Sequence, residues 1–406
     1  MTRALKVLIV GGGIGGLTAA LACAQKGHDV VLYEQAEQFG EVGAGLQISP
    51  NAMKVLRALG AAGRVSRDAV RPLSLRMRHG IKASDEGLIF DVPLGAVAEQ
   101  RWGAPYLHLH RADYIEALND LVVETPNIDV RLGQIVTDVR SEPDAAILTL
   151  SDGSHETGDV LIGADGLHSV VRASLHGPDS PHFTGNVAWR ATVPVEQLGP
   201  DMPDSVSCVW VGPRRHSVTY RLRGGALVNF VGVVENETAG SEGWSHQGSK
   251  AEAQADFAGW HPTITRILER VPDDALYRWA LYDRAPLPFW SKDRVTLLGD
   301  AAHPMLPFFA QGAAMATEDA WVLAQCLSEA QCVETALKRY EASRLPRASR
   351  VQAASRGNMK TFHRVSPLEK LITYGPMTLA GRIAPGLIRR RLDWLYGADV
   401  TQSLPS

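Results

Sequence analysis

Cysteine is scarce in this 406-residue chain and badly spaced for chemistry. Its four cysteines, Cys23, Cys208, Cys326 and Cys332, form no Cys-x-x-Cys pair and no metal-ligand spacing. That excludes a zinc ribbon or a dithiol motif, predicts no metal site, and suits reduced thiols in a cytoplasm. No apolar run reaches the roughly 18 residues that a membrane-spanning helix needs. An excess of one charge is missing too: 41 Lys and Arg face 44 Asp and Glu, for a net charge of −3. That leaves no basic footprint for nucleic acid. The first strand-like run starts near Leu5, so no signal peptide is expected. No internal repeat or low-complexity tract interrupts the chain. At this length one simple core is not enough, and two domains with an appendage are expected.

Glycine is where the sequence becomes informative. Val7-Leu8-Ile9-Val10-Gly11-Gly12-Gly13-Ile14-Gly15-Gly16 sets an apolar, β-rich run before a Gly-x-Gly-x-x-Gly pattern. Residues 5–10 predict a buried strand. Gly11, Gly13 and Gly16 then allow a tight turn, close backbone approach to a pyrophosphate, and close packing of the next helix. Residues 17–26 are rich in Ala and Leu and read as that helix. Its N-terminus offers N–H groups and a positive dipole end to phosphates. Gly27 ends it, and residues 28–34 read as the second strand. Glu34 closes that strand at about the expected distance of ~20 residues, where a carboxylate accepts hydrogen bonds from ribose hydroxyls. A glycine-rich turn without a ligand does not explain Glu34.

Two later stretches extend the pattern. One is Asp159-Val160-Leu161-Ile162-Gly163-Ala164-Asp165-Gly166, running on to Arg172. The other is Arg294-Val295-Thr296-Leu297-Leu298-Gly299-Asp300-Ala301-Ala302-His303-Pro304. An NAD dehydrogenase with one Rossmann unit needs neither, so FAD is the expected dinucleotide. With these three motifs the chain resembles the single-component FAD-dependent aromatic hydroxylases. The likeness is to the para-hydroxybenzoate, salicylate and 3-hydroxybenzoate hydroxylase type, and it runs from Val7 to about Leu345. It implies that Asp165 and Gly166 lie near the FAD pyrophosphate and serve nicotinamide binding. It also implies that Asp300 meets the ribityl chain and that Pro304 lies beside the flavin ring.

The expected fold class is α/β. A Rossmann-like FAD-binding domain would be assembled from residues 1–70, 104–180 and 281–345. A smaller antiparallel-sheet substrate domain would take 71–103 and 181–280, and 346–406 would form a C-terminal helical region broken near Gly375-Pro376. Alternating runs at 187–193, 205–211, 217–222 and 226–234, with the turn signal Arg223-Gly224-Gly225, support the sheet. The C-terminal region carries no motif and is a candidate dimer contact, so monomer and homodimer both stay open. Its Arg389-Arg390-Arg391 run reads as solvated or dimer-contacting before it reads as a membrane-surface helix.

The resemblance also implies a reaction. FAD reduced by NADH or NADPH reacts with O2 to give a C4a-hydroperoxide, whose distal oxygen passes to a small phenolic or heteroaromatic acid. Removing a phenol proton activates such a ring, so a base is needed near the substrate hydroxyl. The site must be dry, and the protein's share is positioning and electrostatics. The strand-like run after Gly212-Pro213 carries His216 and, four residues on, Tyr220. Even spacing puts both on one face, and imidazole titrates near neutrality. The hydroxybenzoate and hydroxypyridine-acid branch has a His and a Tyr at this spacing. His216 is therefore the candidate base or relay and Tyr220 a pocket residue; an exposed hairpin His and a structural Tyr are the bland alternative.

Gly312 and Ala313 open a helix towards the flavin, and its N–H groups can stabilise charge at the N1/C2 carbonyl side. Gln311 either bonds the substrate or caps that helix. Tyr106 is a further substrate candidate. Arg111 resembles an arginine that contacts FAD in the family. Gln47, in the loop 43–51, lies where relatives approach the flavin; some carry His there, so it is a departure. Glu318, Asp319 and His303 read as structural, Cys208 as a buried thiol. Arg214 and Arg215 are either carboxylate-binding or solvated.

Rival readings stay open at this point. A same-fold monooxygenase for a larger ring, such as a quinolone, purine or polyketide, would carry identical motifs. A flavin reductase or dehydrogenase would need no ring-activating base. A silent FAD-binding protein is disfavoured by three intact motifs. No second Rossmann unit for a nicotinamide donor is seen; NADH is preferred because the resembling branch often uses it.

Overall fold

The computed structural model describes residues 3–40, 45–81, 87–199, 203–236 and 247–402. The Gly43-Ala44 end of the loop expected around Gln47 lies outside them.

Six strands form the dinucleotide half. Their spatial order is Ser291–Lys292, Val295–Leu297, Val160–Gly163, Lys6–Val10, Asp29–Tyr33 and Ile128–Arg131. All neighbours are parallel except the edge pair of Ser291–Lys292 with Val295–Leu297. Parallel strands are covered on both faces, which is why the central ones read as unbroken apolar runs. Val7, Leu8, Ile9, Leu161 and Ile162 are wholly buried. Helix Ile14–Gln25 packs against Gly312–Glu329 and Arg111–Val123.

The strand order explains how motifs so far apart in the chain can share one ligand. Lys6–Val10, Val160–Gly163 and Val295–Leu297 are adjacent, and their pairing sets Val10 beside Gly163 and Gly163 beside Leu297. All three glycine motifs therefore leave the sheet side by side at its carboxyl edge, where doubly wound sheets bind ligands.

A seven-stranded sheet forms the other half. Its order is Leu276–Asp283, His182–Pro194, Leu227–Glu235, Arg215–Leu222, Ser207–Gly212, Ser74–His79 and Leu88–Pro93. It is antiparallel except where Ser74–His79 joins Ser207–Gly212 in parallel. That hairpin arrives from a distant part of the chain, so no tight turn dictates its direction. One face carries Trp189, Trp210 and Phe230 under helices Lys250–Asp256 and Pro262–Arg270. The opposite face turns to the dinucleotide half. Tyr220 and Asn229 on it crowd Gly45, and His216 meets Phe308.

Helix Val333–Phe362 runs without interruption across position 346, with Pro346 inside it. The break expected near Gly375-Pro376 is a correction: helix Pro367–Ile383 continues through Pro376. Proline denies the Ile372 carbonyl its helical donor. Ile372 is 65% exposed, so water can take that bond and the helix survives. No helix among the described residues is long and apolar enough to cross a membrane.

Candidate active site

The first motif builds a cradle. Gly11 has φ +103°, and its N–H donates to the Tyr33 carbonyl at 2.8 Å. A Cβ on it would stand 2.5 Å from the Ala164 carbonyl oxygen, so the first and second motifs touch there. A Cβ on Gly16 would fall 1.9 Å from the Gly11 carbonyl oxygen. Gly13 is different: a Cβ there would meet nothing within 4 Å. It is the N-cap of Ile14–Gln25, and no side chain caps that end. The first-turn N–H groups and the dipole are thus available to an anion. Glu34 accepts from Gly12 N–H at 2.6 Å and from Ala36 N–H at 2.9 Å, beside the same turn. These residues fit a dinucleotide pyrophosphate and ribose.

Asp165 borders the cradle, with its Cα 2.8 Å from where a Gly11 Cβ would stand. Its carboxylate accepts from the Ser169 hydroxyl at 2.5 Å and from Val171 N–H at 3.1 Å, and burial raises its pKa. It shapes the turn containing Gly166, whose φ is +73°. Arg172, which the motif reading left without a role, donates to the carbonyls of Leu167 at 2.5 Å and Ala301 at 3.1 Å. It ties the second motif to the third.

The third motif is held from beneath. Asp319 accepts from Gly299 N–H at 3.1 Å, meets His303 Nε2 at 2.5 Å and accepts from Arg344 Nε at 2.7 Å. The following stretch is broken by prolines, so its carbonyls lack regular partners. Helix Val333–Phe362 supplies them: Gln352 donates to Pro304, Ser355 to Leu306 and Asn358 to Phe308, at 2.9, 2.7 and 3.0 Å. Sequence reasoning missed these three. The signal was there, as polar residues spaced by three along one helix. Ala310 then adopts left-handed φ +50°, at a cost of about 1 kcal/mol, to turn the chain into Gly312–Glu329.

Asp300 is exposed to the cavity although protein surrounds it. Burial raises its pKa against the pull of His303, Arg111 and Arg172. Arg111 begins helix Arg111–Val123; burial lowers its pKa and Asp300 opposes that. The two come together from distant segments, with Gly312 beside them: a Cβ there would be 3.8 Å from Asp300 Oδ1. Ala313 follows in the first turn of the helix.

Gln311 corrects its expected cap role. Its side chain makes no capping bond. Nε2 donates to Ser49 Oγ at 3.0 Å, and Oε1 accepts from Asn51 Nδ2 at 3.4 Å. Asn51 also donates to Glu318 at 2.7 Å. A buried amide must be satisfied, and this one is satisfied inside the protein.

The strand residues fall into two groups. Gln47 lies on strand Gly45–Ile48, paired with Leu107–His110, not in a loop. The β pairing fixes it so that its Oε1 accepts from Tyr106 OH at 2.6 Å, while its Nε2 donates to Ser207 Oγ at 3.2 Å. Tyr106 and Tyr220 flank His108, with ring centroids at 5.9 and 4.6 Å. Burial raises both phenol pKa values and pushes His108 down to about 3. Neither ring nitrogen of His108 has a hydrogen-bond partner among the described residues. His216 stands apart from this group. It is buried, not an exposed hairpin residue, and packs on Phe308 and Phe362. Desolvation, then His363, pushes its pKa well below the ordinary imidazole range, so it rests neutral.

A cavity of about 700 Å³, counted with its open mouth, has Arg190, Trp279, Asp300, Pro304, Leu306 and Pro307 in its wall. His216, Tyr220 and Tyr106 are outside this wall; His216 packs on Phe308, the residue after Pro307 of the wall. Arg190, which sequence reasoning passed over, sits 4.7 Å over the Trp279 ring. Burial lowers its pKa to about 10. A lone arginine inside an apolar strand run, Val187-Ala188-Trp189-Arg190-Ala191, was the available signal. Arg214 and Arg215 lie elsewhere: Arg214 is 3.9 Å from Glu235 and Arg215 binds the Asp256 carbonyl.

Residues 4–355 match the family described as FAD binding domain. The chain belongs to the FAD-dependent aromatic hydroxylases. It is similar to a 6-hydroxynicotinate 3-monooxygenase of Pseudomonas fluorescens, 38% identical over 88% of this chain and 92% of that one. A 3-hydroxybenzoate 6-hydroxylase of Klebsiella oxytoca is 35% identical over 98% of both. Among solved structures, Klebsiella pneumoniae HpxO complexed with FAD and uric acid has a TM-score of 0.83 at 26% identity, covering 96% of this chain and 97% of that one. This hydroxylase is thus a flavoprotein monooxygenase with FAD as its cofactor.

Proposed function

We propose that this hydroxylase uses NADH or NADPH and O2 to hydroxylate a small aromatic acid bearing a ring hydroxyl or its heteroaromatic equivalent. The observation that carries this reading is Arg190, a half-buried cation over Trp279, sharing one cavity wall with Asp300 and Pro304 of the third motif. A flat anion between them would have its carboxylate at the guanidinium and its ring towards the flavin segment. The bound FAD supplies reducing equivalents and the activated oxygen. The chain's own residues do the rest. Arg190 holds the carboxylate and His216 takes the hydroxyl proton, with Tyr220, Tyr106 and Gln47 behind the cavity wall on the same side of the sheet. The cradle of Gly11, Gly13, Gly16 and Glu34 holds the dinucleotide, with Arg111, Asp300, Pro304 and the Gly312-Ala313 helix start nearer the ring. Four free cysteines support a cytoplasmic setting, as monomer or homodimer.

The test is oxidation of NADH and NADPH by the yellow protein, with oxygen uptake and product analysis. The panel holds 3-hydroxybenzoate, salicylate, 4-hydroxybenzoate and 6-hydroxynicotinate. Stimulation with a hydroxylated product is expected from at least one; no stimulation by any overturns the reading. Arg190→Met should then raise KM for that acid by about 10- to 100-fold, the worth of a charge-assisted hydrogen bond. The amide or ester of the same acid should lose little. Equal losses for acid and amide would remove Arg190 from carboxylate binding.

A further inference from the structure

We propose that His216, His363 and Glu235 form a proton conduit that carries the substrate's hydroxyl proton from the pocket side of the sheet to solvent. This rests on the reading of His216 as the base and extends it with two residues outside every cofactor motif. His216 Nδ1 lies 2.7 Å from His363 Nε2, and His363 Nδ1 lies 3.1 Å from Glu235 Oε1. The first ring is buried and the second nearly so, while the Glu235 side chain is 41% exposed. The three therefore span the distance from interior to surface with no missing link.

The carboxylate end also sets the direction. An ionised Glu235 only accepts, so His363 must carry its proton on Nδ1 and present a lone pair at Nε2. His216 must then donate through Nδ1, which leaves its Nε2 as the lone pair. Glu235 thus fixes the tautomer of a base two residues away, as the aligning carboxylate of a catalytic triad does. Burial keeps both rings neutral at rest. The surrounding groups agree. Val211 and Val233 flank His216 across the sheet, and Phe308 and Phe362 cover it. The charged neighbours are Arg214, 3.9 Å from Glu235, and Arg215, which acts through space against a charge on His363.

The proton balance is simple. The substrate O–H gives its proton to His216 Nε2, the Nδ1 proton of His216 moves to His363 Nε2, and the Nδ1 proton of His363 moves to Glu235. Glu235 releases it to water. One proton leaves, no electrons move, and the anionic substrate ring remains.

The experiment follows proton release with a pH indicator when the stimulating acid of the panel is mixed with the oxidised holoenzyme. His216→Ala should abolish the fast release. His363→Ala should slow it by about 100-fold and Glu235→Gln by about tenfold, within the span of general acid–base effects. Substrate Kd should change little, and added imidazole should restore part of the His363→Ala rate. Independently, 15N shifts of the histidine rings should show the Nδ1–H tautomer for His216, lost in Glu235→Leu, which removes the acceptor that Gln would keep. That second readout serves even where His363→Ala folds poorly. If His216→Ala abolishes release but His363→Ala and Glu235→Gln leave its rate unchanged and Glu235→Leu leaves the tautomer unchanged, the conduit is wrong and the base stands. If His216→Ala leaves release intact, the base reading itself fails.

Discussion

Gly16→Ala should yield a protein that purifies with much less of its yellow cofactor. The new methyl would sit 1.9 Å from the Gly11 carbonyl oxygen, far inside contact distance, and both atoms belong to backbone. Gly11 cannot retreat. Its own position leaves only 2.5 to 2.8 Å between an imagined Cβ and the Ala164–Asp165 backbone. The start of helix Ile14–Gln25 must therefore swing away, and its N–H groups go with it. Overpacking of this kind costs about 1–3 kcal/mol, so FAD binding should weaken by about 10- to 100-fold and unfolding should occur at lower denaturant. Gly13→Ala is the matched comparison. Its Cβ meets no protein atom within 4 Å, so the apoprotein should be as stable as the parent while FAD binding suffers. The flavin-to-protein ratio by absorbance and urea unfolding of the apoproteins measure both. A Gly16→Ala protein that retains FAD as tightly as the parent would show that the cradle is not built as described.

The cofactor half was legible because its constraints are local. A tight turn needs glycine, a buried parallel strand needs an apolar run, and both leave marks at fixed spacing. The sheet half was legible in outline, since 187–193 and 217–222 fall within observed strands and 226–234 begins one residue before Leu227–Glu235. Its one parallel pair was not, because direction there is set by a partner more than a hundred residues away. The polar side chains show the same division. Gln311 and Gln47 stand at positions that suit a ligand, yet their amides are satisfied by Ser49, Asn51, Tyr106 and Ser207, which no spacing rule connects to them. His216 was singled out for its place on a strand. Its partners His363 and Glu235 lie in segments that carry no motif. Arg190, Arg172 and the Gln352–Ser355–Asn358 row were missed because each acts across the fold on a cavity or on backbone carbonyls. Such roles become visible only once the carbonyls they serve are known to lack partners.

Replacing Arg344 by Met should cause the largest loss of stability of any single change considered. Arg344 is buried and bridges Glu318 at 2.6 Å and Asp319 at 2.7 Å, and both carboxylates have no exposure. Removing one partner of a buried ion pair costs about 3–5 kcal/mol because it leaves uncompensated charge in the interior. Arg347 still holds Glu318 at 2.7 Å, and His303 still meets Asp319, so the damage falls short of two orphaned charges. The consequence reaches the active site, since Asp319 anchors Gly299 and His303 of the third motif. FAD release should therefore precede unfolding. The pH dependence follows from the same cluster. Burial works to raise the pKa of Asp319, but His303 and Arg344 more than offset it and hold the group at about 2. Glu318 is likewise depressed, with burial opposed by Arg344 and Arg347. A depressed carboxylate stabilises the fold above its ordinary pKa of about 4, and that contribution fades as pH falls towards the folded value. The parent protein should thus lose this stability between about pH 4 and pH 2. In Arg344→Met the Asp319 carboxyl loses part of its opposing charge, its pKa rises, and acid unfolding should begin at higher pH. Tryptophan fluorescence and flavin release along an acid titration read both transitions. Identical midpoints in the two proteins would mean that Arg344 is not what keeps these carboxylates ionised.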